Sequence, residues 1–144
     1  MSEQLLKRLQ EQAAFYAKSS MKFVSDELLN SIYNMDSNAI DELDIGVVGV
    51  DDNGTIIIYN KLESLKANVE QKIAIGKNFF TQIAPCTNNS IFYGTFKNSI
   101  KQPQMDFLFP YTFTYKMKPT PVKVHLYKNN IHNKNINWIF IKWN

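Results

Sequence analysis

Residues 106–117, DFLFPYTFTYKM, alternate without a break: Phe107, Phe109, Tyr111, Phe113, Tyr115 and Met117 fall on one side, Leu108, Pro110, Thr112, Thr114 and Lys116 on the other. A period of two is that of a β-strand, whereas a helix of this sequence would scatter its aromatic rings around the whole circumference. The turn formers KPTP separate this run from VKVHLY (122–127), and the polar KNNIHNKN separates that from INWIFIKW (136–143). Consecutive strand patterns with short connections predict antiparallel pairing. Pro110 cannot donate to a ladder, so its strand belongs at an edge or carries a bulge there.

Upstream, GVVGV (46–50), the turn signal DDNG and TIIIY (55–59) read as a hairpin, with Gly54 supplying the positive φ of the turn. Asn60 to about Ile75 is mixed and polar, which predicts short helical turns. The segment 92–100, FYGTFKNSI, reads as a helix capped by Asn89 or Ser90. At the N-terminus, Leu5, Leu6, Leu9, Ala13 and Tyr16 recur at helical spacing, and Phe23, Val24, Leu28, Ile32 and Met35 make a second such set. The expected architecture is α+β: an antiparallel five-stranded sheet with helices packed on it and an N-terminal helical cap. Residues 1–20 form a helical extension and 21–144 the domain proper.

Charge and cysteine usage narrow the function. Sixteen Lys and Arg against thirteen Asp and Glu give +3, with the lysines dispersed, which argues against nucleic-acid binding. No apolar run approaches bilayer-spanning length, MSEQLLKRLQEQ lacks a secretory apolar core, and one cysteine cannot form an internal disulfide, so a cytoplasmic protein is expected. His125 and His132 are the only other soft metal ligands, too few for a zinc site. No partner for a catalytic Cys86 is visible in the sequence, so no enzyme is expected.

Cys86, in IAPCTNN (83–89), is either a small buried hydrophobe or a nucleophile suited to a stable acyl adduct, having no resolving thiol. Glu63 follows Asn60 by three, the spacing of a capping box in which the carboxylate reaches back to the Asn60 N–H. Tyr59 reads locally as a strand-end aromatic.

Taken together, YNKLE (59–63), GKNFF (76–80), APCT (84–87), FYGTFK (92–97), YTFTYKM (111–117) and KVH (123–125) resemble the photoactive yellow protein family, whose fold is the PAS domain. The resemblance runs from about Met35 to His125 and, after a small insertion, resumes before Trp138, about three quarters of the chain. It implies a blue-light photoreceptor carrying p-coumaric acid as a thioester on Cys86. It makes Tyr59 and Glu63 hydrogen-bond donors to the phenolate, Tyr111, Phe113 and Met117 pocket residues, and the Cys86 N–H a donor to the thioester carbonyl. It gives His125 a structural role only. Signalling would follow trans–cis isomerisation, proton transfer from Glu63 and partial unfolding, toward an unidentified downstream protein. A donor role needs a neutral Glu63, its pKa raised by roughly 3 units, or about 4 kcal/mol. Two positions depart from the family pattern, Ala67 where a threonine is usual and Val69 where an arginine is usual. The alternative is a PAS interaction or small-ligand module without chromophore. The N-terminal stripe must bury itself on the domain, on a second copy of the chain or on a partner.

Overall fold

The computed structural model of the chain describes residues 2–132 and 134–143, with the backbone alone over 14–20. A long helix, α1 (Glu3–Met21), leads into two short ones, α2 (Asp26–Ser31) and α3 (Ser37–Asp41), then the hairpin β1 (Gly46–Val50) and β2 (Ile56–Tyr59). The helices α4 (Lys61–Ala67), α5 (Gln71–Ala74) and α6 (Tyr93–Ser99) follow, and β3 (Gln104–Phe113), β4 (Thr120–Asn129) and β5 (Asn137–Trp143) close the chain. The five strands form one sheet in the order β2-β1-β5-β4-β3, every pair antiparallel.

The last strand therefore lies at the centre, between the early hairpin and the late one, and both of its faces are covered. Ile139 and Ile141 join Val48, Val50, Val124 and Leu126 against Phe79, Phe80, Phe92 and Phe96. Trp138 and Phe140 join Val47 and Tyr127 against Val24, Leu29, Ile32, Tyr33 and Ile40 of the N-terminal segment. Two-sided burial is why GVVGV and NWIFI read as continuous apolar runs rather than alternating ones.

The hairpin turn is built as its sequence predicts. Asp51 accepts from the Asn53 and Thr55 N–H groups at 2.9 Å each, and Gly54 sits at φ 88°. A side chain at Gly54 would also meet the Phe80 ring at 2.9 Å. Pro110 lies on β3, an edge strand of the sheet, the position at which a residue without an N–H is tolerated.

Three expectations need correction. The second amphipathic set is not one helix: Ser25 caps α2, a 3-10 turn follows at Ile32–Asn34, and Asp36 caps α3, so a polar side chain restarts the backbone twice. The alternating run ends as a strand at Phe113, because Lys116 takes φ 53° and turns the chain; Tyr115 and Met117 lie in that turn. Asn89 accepts from the Ile91 and Phe92 N–H groups ahead of α6, but that helix's own N-cap, Phe92, makes no side-chain cap bond.

In α1, Leu5, Leu6 and Leu9 are 45%, 49% and 45% exposed and Ala13 is exposed as well, so this part of the stripe is not buried on the domain; Tyr16 lies among the residues whose side chains are not described.

Candidate functional site

Asn60 fixes the entrance to the site. Its side chain caps α4 by accepting from the Glu63 N–H at 3.1 Å and also accepts from Val47 N–H at 2.9 Å. Its amide donates to the Ile40 and Ile45 carbonyls at 3.1 and 2.9 Å, so one buried residue ties α4 to β1 and to the end of α3. Half of the capping box is thus real. The other half is not: Glu63 does not turn back, because the Asn60 N–H is already taken by the Val47 carbonyl at 3.0 Å. Its carboxyl points instead toward β5, where Trp143 Nε1 donates to Oε1 at 2.7 Å.

Glu63 is 2% exposed. Burial pushes its pKa up from 4.5 to about 7, the Trp143 bond working in the opposite direction. Tyr59, at the end of β2, is equally buried, and its hydroxyl has no hydrogen-bond partner among the described residues. Burial first, then the neighbouring Glu63 carboxylate, holds its phenol above the usual tyrosine range, so it is a neutral donor at any physiological pH.

Both residues line a cavity of about 260 Å³ on the α4–α6 side of the sheet, together with Ala67, Val69, Cys86, Phe113, Met117 and Trp143. Phe79, Ile83 and Ala84 add apolar wall, and Gln82, Tyr115 and Lys116 add polar groups. An apolar chamber with a few convergent donors is the usual form of a small-ligand site.

Cys86 reaches that chamber from a short 3-10 turn, Pro85–Thr87. Thr87 returns its N–H and its hydroxyl to the Ala84 carbonyl at 2.8 and 2.6 Å, while Asn89 Nδ2 and the Tyr111 hydroxyl both donate to the Cys86 carbonyl. The turn is held on both sides of the thiol-bearing residue.

Of the residues anticipated from the sequence, Cys86, Tyr59, Glu63, Phe113 and Met117 come together in one cavity, as do the two departures Ala67 and Val69. Tyr111 does not wall it. Its ring packs edge-on to Phe92 at 5.1 Å, beneath the cysteine turn, and its hydroxyl acts on the Cys86 backbone. His125 lies on the other face of the sheet, 2% exposed, with Nε2 2.7 Å from Asp106 Oδ1.

Trp143 is the site residue that the sequence reading missed. The signal was present in part: it shares the odd-numbered face of β5 with Ile139 and Ile141, both on the cavity side. Its partner, 80 residues earlier, could not be read from that alternation.

Among the described residues no group of three or more His, Cys, Asp or Glu could hold a metal ion, and no helix is long and apolar enough to cross a membrane.

No family model matches the chain. Curated proteins do. Photoactive yellow protein of Halochromatium salexigens is 38% identical over 120 residues, 83% of this chain and 94% of that protein. Photoactive yellow protein of Rhodothalassium salexigens is 38% identical over 122 residues, 85% of this chain and 96% of that protein. Among solved structures, the photoactive yellow protein domain of the sensor histidine kinase Ppr from Rhodospirillum centenum matches with a TM-score of 0.73 at 32% identity, covering 79% of this chain and 98% of that domain. The PAS domain of an HTR-like protein from Haloarcula marismortui, 11% identical with a TM-score of 0.59 over 75% of this chain and 93% of that one, shares the fold.

Proposed function

The chain belongs to the photoactive yellow protein family, and from that premise we propose that it is a blue-light photoreceptor carrying p-coumaric acid as a thioester on Cys86. The observation that carries this reading is the unpartnered hydroxyl of Tyr59, buried in the same cavity as Cys86 and Glu63. A buried hydroxyl left without an acceptor costs about 1–3 kcal/mol, a cost that a ligand acceptor in the cavity would remove.

The residues fit the group. Cys86 is the single cysteine of the chain, so the thioester has one place to form. Tyr59 and Glu63 are the donors for a phenolic oxygen, and Phe113, Met117 and Val69 supply apolar wall for the ring. Bound there, the coumaroyl group supplies a double bond that blue light turns from trans to cis and a phenolic oxygen able to carry negative charge.

The protein's own part is to hold a proton and to respond to its loss. Glu63 already titrates near pH 7, and a negative charge in the cavity raises its proton affinity further. Once Glu63 gives up that proton, a carboxylate remains in the interior with the Trp143 N–H as its partner. A buried charge with so little compensation destabilises the packing around it by several kcal/mol, a large fraction of a domain's stability. Loosening of the weakest-held elements is the output we assign to it.

The test is reconstitution. Apoprotein mixed with an activated p-coumaroyl donor should turn yellow and gain the mass of one coumaroyl group, and Cys86→Ala should do neither. Wild-type protein that stays colourless, or a Cys86→Ala protein that colours equally, would reassign the cavity to another ligand of a PAS sensing module.

A further inference from the structure

The geometry points to Trp143 as a positioning residue: its indole N–H claims Oε1 of Glu63 as an acceptor and so places the acid's proton on Oε2. The inference rests on the photoreceptor reading only for its consequence; the arrangement itself belongs to the protein without pigment.

An indole N–H can donate and cannot accept. A neutral carboxyl has one oxygen that carries the proton and one that only accepts. With Trp143 Nε1 at 2.7 Å from Oε1, Oε1 must be the accepting oxygen whenever Glu63 is protonated. Gly46 leaves the space that Oε1 occupies. A Cβ built on Gly46 would stand 2.2 Å from Oε1 and 3.1 Å from Trp143 Nε1, so only glycine lets the carboxyl lie against the β1 backbone.

The indole is itself fixed. It stacks on Phe113 with ring centroids 5.2 Å apart and planes 26° from parallel, and it extends the cavity face of β5 two residues beyond Ile141, which pairs with Gly46. Trp143 and Gly46 thus stand on the adjacent strands β5 and β1, and the carboxyl reaches them from α4. Within the cavity that Glu63 lines, the other titratable side chains are Tyr59, Cys86, Tyr115 and Lys116. Among the described residues, the side chain bonded to the carboxyl is that of Trp143.

The clamp makes two demands that a tryptophan packed there merely as a hydrophobe would not. The C=O stretch of protonated Glu63 must report an accepted hydrogen bond, and the ionised form must be favoured by the same N–H. Infrared pH titration of the apoprotein, with Glu63→Gln to assign the band, reads both. Trp143→Phe keeps a ring on Phe113 and removes the donor. The expected results are a carboxyl band at higher frequency and a titration midpoint higher by about one pH unit or more, a tenfold or greater rise in proton affinity. Gly46→Ala, whose Cβ would stand 2.2 Å from Oε1 and so displaces it while leaving the indole in the chain, should move both readouts in the same direction and keeps the test alive should Trp143→Phe fail to fold. Wild-type frequency and midpoint in the folded variants would overturn the proposal. Because no pigment is needed, a protein that never turns yellow would defeat the photoreceptor reading while leaving this result standing.

Discussion

Glu63 is where sequence and structure say the most different things about a single residue. Its spacing from Asn60 suggests a helix cap, yet its carboxyl is buried and bonded to the far end of the chain. The raised pKa makes the fold pH-sensitive. The folded state holds this proton up to about pH 7 and the unfolded chain only to about 4.5, so the native state binds more protons between those values and stability falls as pH rises through that window. The expected loss is about 3 kcal/mol, complete above pH 7, measured as urea midpoints of apoprotein from pH 4 to 8. Glu63→Gln should flatten that dependence. In pigmented protein the same variant, a weaker donor, should move the absorption band to longer wavelength, and an unshifted band would mean that Glu63 does not touch the pigment. Tyr59 gives the opposite balance: Tyr59→Phe removes a hydroxyl without a partner and should raise apoprotein stability by about 1 kcal/mol, while removing a donor from the pocket.

At the scale of elements, α4 carries the site. It starts at Asn60, whose four side-chain bonds make it a junction rather than a cap alone. Asn60→Ala should cost about 3 kcal/mol or more, beyond the roughly 1 kcal/mol of an ordinary cap, because it also strands the Val47 N–H and two carbonyls in the interior. The helix ends at Asn68 in the left-handed conformation, φ 57°, with Ser64 Oγ donating to the Val69 carbonyl at 2.6 Å. That turn sets Ala67 and Val69 on the cavity wall. Neither offers a donor, so in pigmented protein water should compete well for the phenolic oxygen and the yellow band should titrate at a higher pH than with hydrogen-bonding side chains there. Ala67→Thr with Val69→Arg should lower that midpoint. An unmoved titration would show that other wall residues already compensate.

At the scale of the molecule, the two sheet faces divide the labour. One holds the cavity, the other is covered by the segment 22–43 through Val24, Leu29, Ile32, Tyr33 and Ile40. Val47 faces that cover and Val48 the cavity side, so neighbouring residues of β1 bind the two layers together. Illumination of pigmented protein should lower hydrogen-exchange protection in 22–43 and return it in the dark; equal protection in both states would place the output elsewhere. Helix α1 is a separate matter, since its exposed Leu5, Leu6 and Leu9 add little burial. Deleting residues 1–13 should shift Tm by no more than a few degrees, the equivalent of about 1 kcal/mol or less.

The sequence alone determined the strands, the hairpin and the class of fold, because periodicity and turn chemistry are local: the alternation up to Phe113, Asp51 and Gly54 in the turn, and Pro110 at an edge all follow from side chains acting on their own backbone. The spaced motifs further brought out the family and, of the cavity wall, Tyr59, Glu63, Ala67, Val69, Cys86, Phe113 and Met117. Tertiary structure alone decided the strand order that places β5 in the centre, and with it the meeting of Trp143, Gly46 and Glu63. It also decided that Tyr111 supports the cysteine turn instead of lining the cavity. These are contacts between residues far apart in the chain, and their chemistry leaves no periodic trace, so each side chain reads by itself as an ordinary part of its own helix or strand.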